Sequence, residues 1–180
     1  MRRTKKIAIL LTLLAQFAQA ASPQNKNDSD VIFREPFTLR LPVDRSHFYE
    51  ERFDHKIPYV FDNDVYLFNG EKFGVKVTLE EGEITSVRYE KDLSKADLTF
   101  DFKQDKDQSG SLMTLLTVKN NLPRRVYFDA LMTIPGKKGI FKTTVLPVEA
   151  GLSNFESWPH AIVQLALKDI RYSEKPASRK

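Results

Sequence analysis

The chain of 180 residues contains 28 Lys and Arg, 24 Asp and Glu, and no Cys. The absence of cysteine excludes disulfides, thiol redox chemistry and a cysteine nucleophile, and it also excludes a lipoprotein anchored through an N-terminal cysteine. Four basic residues fall in the first 20 positions, so the remaining chain carries 24 charges of each sign. Nucleic-acid binding, which needs an excess of positive charge, is therefore not expected.

The first 20 residues have the pattern of a secretory signal peptide. Arg2, Arg3, Lys5 and Lys6 precede an apolar run over residues 7–14, and Ala18-Gln19-Ala20 supplies the small residues of a cleavage site. The run is too short to span a bilayer, which needs about 20 residues. We expect cleavage after Ala20, a periplasmic or secreted protein of a bacterial envelope, and no membrane-spanning segment after cleavage.

Residues 21–30 are polar and without periodicity, which predicts a disordered leader, and the structured domain is expected to cover residues 31–172. Phe37, Leu39 and Leu41 alternate with polar residues and predict a first strand that ends at Pro42. Residues 43–59 are harder to interpret. They fit either one or two helical turns capped by Ser46 or an irregular extended loop.

The middle of the chain predicts a meander of short strands. Residues 65–68 precede Asn69-Gly70, a strong hairpin signal. Alternating apolar residues follow over 73–79, 85–89 and 98–103, with Gly82 in the first turn. The polar residues 104–110 then form a loop.

Residues 111–134 predict two long strands joined by a tight turn at Asn120, Asn121 and Pro123. The first strand is apolar on both faces, so it should be covered on both sides. The second alternates, with Val126 and Phe128 on the buried face. We expect this β-hairpin to carry the core.

Further strands are predicted over residues 140–146 and 162–172, although the Ala and Leu content of the latter also permits a helix. Residues 147–159 read as irregular, and residues 173–180 as a basic flexible tail. Short strands separated by frequent turns predict an all-β fold, an antiparallel β-sandwich of immunoglobulin-like architecture, with a small β-barrel as the alternative. The Cys–Trp–Cys pattern of true immunoglobulin domains is absent.

One group of residues has the spacing of metal ligands. His47, Glu51 and His55 are four residues apart, which places them on one face of either a helix or a strand. Two His and a carboxylate suit zinc, iron or copper. The alternative is a charged surface loop in which such spacing arises by chance.

Two other groups are candidates for partner binding. Phe155 and Trp158 could form an aromatic recognition patch, or Trp158 could instead close one end of the sandwich.

Arg124 and Arg125 belong to a basic second half: residues 21–110 carry 13 basic and 19 acidic residues, whereas residues 111–180 carry 11 and 5. This asymmetry predicts salt-sensitive binding to an acidic partner, to an anionic lipid or polysaccharide surface, or to the acidic half of a second copy, unless the charges pair across the sandwich.

No motif names a reaction, because the chain lacks a Gly-x-Ser-x-Gly elbow and a phosphate-binding glycine loop. The sequence therefore favours an exported, non-catalytic module that needs no cofactor and binds a protein or envelope component. The alternatives are a metal-binding protein or metal-dependent hydrolase that uses the His47 region, and a structural surface or appendage subunit.

Overall fold

A computed structural model describes residues 31–173. The predicted signal peptide, the leader and the tail from Glu174 onward lie outside the described residues. Across residues 31–173 the chain forms strands and no helix, which confirms the all-β class. No segment of this range is a helix able to cross a membrane. The strands are β1 Phe33–Arg34, β2 Phe37–Pro42, β3 Phe48–Phe53, β4 Ile57–Pro58, β5 Val60–Phe61, β6 Asp64–Phe68, β7 Glu71–Glu80, β8 Glu83–Glu90, β9 Leu98–Lys106, β10 Leu112–Asn120, β11 Tyr127–Thr133, β12 Phe141–Thr143, β13 Ser153–Trp158 and β14 Gln164–Arg171.

Ten of these strands build two antiparallel sheets in the described range. The first, here called the β9 sheet, has the order β13-β10-β9-β7-β8, and the second, the β14 sheet, has the order β12-β11-β14-β6-β5. Each sheet is open at both edges, so the sandwich prediction is confirmed and the barrel alternative is not. The short pairs β1-β4 and β2-β3 accompany the two sheets.

The core lies between the two sheets and follows the period of two along each strand. Phe100 and Phe102 of β9 and Leu116 of β10 face Leu165 and Leu167 of β14, all with at most 1% of their surface exposed. The second strand of the predicted hairpin, β11, also alternates as expected, with Phe128 buried in this core.

The predicted hairpin over residues 111–134 is wrong, because β10 belongs to the β9 sheet and β11 to the β14 sheet. The buried Asn120 directs the chain across the sandwich. Its Nδ2 donates to the carbonyl oxygens of Arg124 and Val148 at 2.8 and 2.9 Å, and its Oδ1 accepts from the N–H of Leu122 at 2.9 Å.

The prediction that β10 is covered on both faces is also wrong, since Leu115 on its outer face is half-buried.

The hairpin predicted at Asn69-Gly70 is wrong for a similar reason, since β6 and β7 lie in different sheets. A buried ion pair lies at this crossing. Arg34 donates from Nε and Nη2 to the two carboxylate oxygens of Glu71, at 2.5 and 2.7 Å. Glu71 in turn accepts from the N–H of Phe68 at 2.8 Å, while Arg34 also donates to the carbonyl oxygens of Pro58 and Tyr66.

The predicted meander is only partly present. The turn at Glu81 and Gly82, with φ of 52° and 82°, joins β7 and β8 as expected of a two-residue hairpin turn. However, β9 pairs with β7 and not with β8, which leaves β8 at the edge of its sheet.

Both interpretations of residues 43–59 are wrong, since β2 and β3 form a hairpin and β4 follows. The inner face of this hairpin packs on one end of the sandwich in a second, smaller core. That core contains Leu39, Leu41, Phe53, Ile57, Phe68 and Val163.

Residues 147–159 are not irregular, because they include β13, which pairs with β10 over its whole length. Trp158 is the last residue of this strand. The predicted final strand is confirmed as β14, which lies between β11 and β6, and the helical alternative is wrong.

Candidate interaction surface

The structure separates the three residues predicted to bind a metal. His47 lies in the β2-β3 turn, where Asp44 accepts hydrogen bonds from the N–H groups of Ser46 and His47 and contacts the His47 ring at 2.8 Å. Glu51 faces the smaller core beside Tyr49, and His55 is exposed before β4. Among residues 31–173 no three His, Asp or Glu side chains are grouped as metal ligands.

The burial of Glu51 has a consequence for stability. Burial raises its pKa, and the Tyr49 hydroxyl donates to its carboxylate. The pKa of Glu51 is therefore higher in the folded state than in the unfolded state. The protonated side chain contributes stability below pH about 4.5, and this contribution is lost as the pH rises through the folded-state pKa.

We therefore expect Glu51→Gln to raise the free energy of unfolding at pH 7 and to leave it nearly unchanged at pH 4. Urea titrations at both values measure the difference. Glu50→Gln, on the exposed face of the same strand, is the matched control and should change stability little at either pH. A wild-type stability equal to that of Glu51→Gln at pH 7 would contradict the assignment.

Arg124 and Arg125, predicted to bind a partner, lie in the crossing between β10 and β11 and contact acids of their own chain. Arg124 donates to the carbonyl oxygen of Gly82 at 2.8 Å and lies 3.8 Å from Glu83, while Arg125 pairs with Glu149. The Arg124–Glu83 contact joins the two halves of the chain, whereas Glu149 belongs to the same half as Arg125, and both arginines have an acidic partner.

The two aromatic candidates lie on opposite faces of β13. Trp158 is 8% exposed, and its Nε1 donates to Thr143 Oγ1 at 2.8 Å, so it belongs to the core. Phe155 is 74% exposed, more than any other large apolar side chain between residues 31 and 173. It stands on the outer face of the β9 sheet opposite Thr117 of β10.

Two further exposed apolar side chains lie in the segments next to β13. Leu152 immediately precedes β13 and is 59% exposed, and Leu146, in the segment beside this strand, is 56% exposed. Glu156 fixes the position of that segment by accepting from the N–H of Leu146 at 2.7 Å, and Asn154 donates to both Glu156 and the Leu146 carbonyl. Residues 146, 152 and 155, with strands β12 and β13, are here called the β13 surface.

The β13 surface is bordered by lysines. Lys137 and Lys138 lie in the loop between β11 and β12, and Lys142 lies on β12. All three are exposed, and none pairs with a carboxylate of residues 31–173. The loop lies close to His160, whose pKa is lowered by burial and by Lys137.

The edge strand β13 is protected against direct strand pairing at one point. The N–H of Phe155 donates to the Oδ1 of its neighbour Asn154 at 2.8 Å. Unpaired N–H and C=O groups on an edge strand can pair with another chain, and this N–H already has a partner. Contacts at the β13 surface are therefore expected to use side chains.

The opposite side of the sandwich is acidic. Asp62, Asp64 and Asp169 line a cleft of about 330 Å³ together with Asn63, Ile84, Lys168 and Ile170. Asp64 pairs with Lys168 at 2.8 Å, yet burial raises its pKa. Asn63 closes this side by donating to the Thr85 carbonyl and accepting from the Val87 N–H, both at 3.1 Å, so it covers part of the edge of β8.

The residues described here define a class of protein: an open, two-sheet β-sandwich with an apolar, lysine-bordered surface on one side and an acidic cleft on the other. No family model matches the chain, and no curated protein and no solved structure matches it either.

Sequence reasoning identified Phe155 but missed Leu146, Leu152 and the lysines beside them. A signal for the lysines is present, since no acidic residue occurs between Asp129 and Glu149, a stretch that contains three lysines. The two leucines carry no comparable signal, because they lie in segments without alternation.

Proposed function

We propose that this protein is an exported, non-catalytic binding module of the bacterial envelope and that it binds a protein partner through the β13 surface. The exposure of Phe155 is the observation that carries the proposal. Large aromatic side chains contribute strongly to binding when a partner desolvates them, and an isolated ring held on a rigid strand loses little conformational entropy in the process.

Two features of the molecule support a binding role over catalysis. The acidic cleft is lined by carboxylates, an amide, a lysine and two isoleucines, and it offers no Ser, Thr or His to a hydrolytic triad. In the His47 region, the basis of the metal-dependent alternative, His47 is engaged by Asp44 in the turn and Glu51 faces the smaller core, while His55 is exposed.

The test is photo-crosslinking in cells with p-benzoylphenylalanine in place of Phe155. We expect adducts of higher mass from this position. The matched control is the same replacement at Phe48, which is 57% exposed at the tip of the β2-β3 hairpin, far along the chain from β13. The intact mass of the uncrosslinked envelope protein should correspond to a chain that begins at Ala21. Adducts from position 48 and none from position 155 would contradict the proposal.

A further inference from the structure

We propose that the partner of the β13 surface is the acidic side of a second copy of this chain, so that the protein assembles side by side in a head-to-tail manner. This inference rests on the proposed function, because it names the occupant of the same surface. It would make the protein a structural subunit of the envelope.

The first argument is charge complementarity between opposite sides of one molecule. The β13 surface has Lys137, Lys138 and Lys142 at its border against one acid of β13, Glu156, whereas the β5-β8 side carries Asp62, Asp64, Glu80, Glu81, Glu83 and Asp169. Arg124, Arg171, Lys168 and Arg88 offset part of this negative charge. The acids still outnumber these cations, so each molecule presents both halves of a complementary pair.

The second argument is that both sides also expose apolar side chains. Phe61 on edge strand β5 is 43% exposed and Leu79, near the β7-β8 turn, is 42% exposed, opposite in the sandwich to Leu146 and Phe155. Apolar contacts that bury these groups would provide affinity, while the charges would select the orientation.

The third argument is the overall charge of the domain. Residues 31–173 contain 20 Lys and Arg against 21 Asp and Glu, which gives a net charge of −1. A net charge this close to zero leaves little long-range repulsion between copies.

The geometry of such a contact has a definite consequence. Because the two interacting surfaces are different and lie on opposite edges, the contact is heterologous, and each added copy leaves one surface of each kind unoccupied. The weight-average mass should therefore increase with concentration. It should return toward that of the monomer when the ionic strength rises from about 0.1 M to 1 M, which shortens the Debye length from about 10 to 3 Å.

Two variants test this by sedimentation velocity. The first, Phe155→Ser with Lys142→Glu, disables the β13 surface. The second, Phe61→Ser with Glu83→Lys, disables the acidic side. We expect each variant alone to be monomeric, with a melting curve like that of the wild type, and an equal mixture of the two to form dimers. Phe48→Ser, outside both surfaces, should associate like the wild type.

Four results would overturn the inference. A wild-type chain that is monomeric at every concentration excludes the assembly. Self-association of the Phe61→Ser, Glu83→Lys variant shows that the β13 surface pairs with itself. A monomeric wild type that sediments with anionic lipid vesicles, and loses this with Phe155→Ser and Lys142→Glu, assigns the surface to a membrane. Crosslinking of Phe155 to a different protein, with a monomeric wild type, ends this inference but leaves the proposed function standing.

Discussion

Leu116→Asp should prevent the chain from folding. Leu116 is fully buried in the centre of the β9 sheet, where its neighbours across the strands are Phe102 of β9 and Glu156 of β13. Neither of these neighbours supplies a cation that could pair with a carboxylate at this position. An unpaired buried charge costs several kcal/mol. Because the total stability of such a domain is typically about 5–15 kcal/mol, this cost removes most or all of it.

The matched control is Leu115→Asp. Leu115 is the preceding residue of the same strand, but it is half-buried on the outer face and lies opposite Lys103. We expect this variant to fold, with a loss of about 1 kcal/mol, typical of a single substitution. Far-ultraviolet circular dichroism with urea titration distinguishes the two. A Leu116→Asp protein that melts cooperatively near the wild-type temperature would show that the core is elsewhere.

Arg34→Met should lower the free energy of unfolding by about 3 kcal/mol, the lower end of the usual cost of removing one partner of a buried ion pair, because the Glu71 side chain keeps 21% of its surface exposed. Arg34 is 5% exposed, and its loss leaves Glu71 with the Phe68 N–H as its remaining strong partner. The carbonyl oxygens of Pro58 and Tyr66 lose a donor at the same time. The long side chain of Met retains much of the packing against Tyr59, whose ring lies 3.9 Å from the guanidinium carbon.

A double-mutant cycle isolates the ion pair from the other contacts. The combination of Arg34→Met and Glu71→Gln should cost less than the sum of the two single changes, since neither buried charge then remains unpaired. Arg40→Met is the control for a surface pair, because Arg40 is 64% exposed and lies 3.7 Å from Glu50; it should cost no more than about 1 kcal/mol. Additive losses in the Arg34 cycle would mean that the two residues act independently.

The strands of this protein could be predicted from its sequence, but their partners could not. Alternation over residues 73–79 or 98–103 indicates which side chains face the core. The alternating pattern is the same whether the next strand lies in the same sheet or in the opposite one. At Asn69-Gly70 and at Asn120-Asn121 the turn residues indicate a change of direction. Whether the chain folds back or crosses over depends on distant groups: Arg34 for the first, and the Val148 carbonyl for the second.

The sequence did not predict the β2-β3 hairpin because charged residues occur on both faces of β3. In β3, Glu50 and Arg52 alternate with Tyr49, Glu51 and Phe53, so a polar residue occupies one of the inward positions. A single half-buried carboxylate breaks the apolar alternation on which strand prediction depends. The same residue contributes to the spacing of four residues, shared with His47 and His55, from which a metal site was predicted.

The candidate surface was predicted in part. The sequence pointed to Phe155 as a possible recognition residue, but it did not reveal that Phe155 and Trp158 lie on opposite faces. Consecutive side chains on a strand point to opposite faces. The side chains of residues three apart, such as 155 and 158, therefore lie on opposite faces of β13. Treating residues 147–159 as irregular concealed this divergence.

The position of β14 bears on when the protein can fold during its synthesis. This strand is the last one of the described range, yet it joins β6 to β11 within its sheet. Until residues 164–171 have left the ribosome, those two strands have no common neighbour, and one wall of the core is missing. Long-range pairing of this kind also makes folding slow. A nascent chain with this strand order cannot complete its core before residues 164–171 are made, and an incompletely folded chain is what the proposed export through a secretion pore would require.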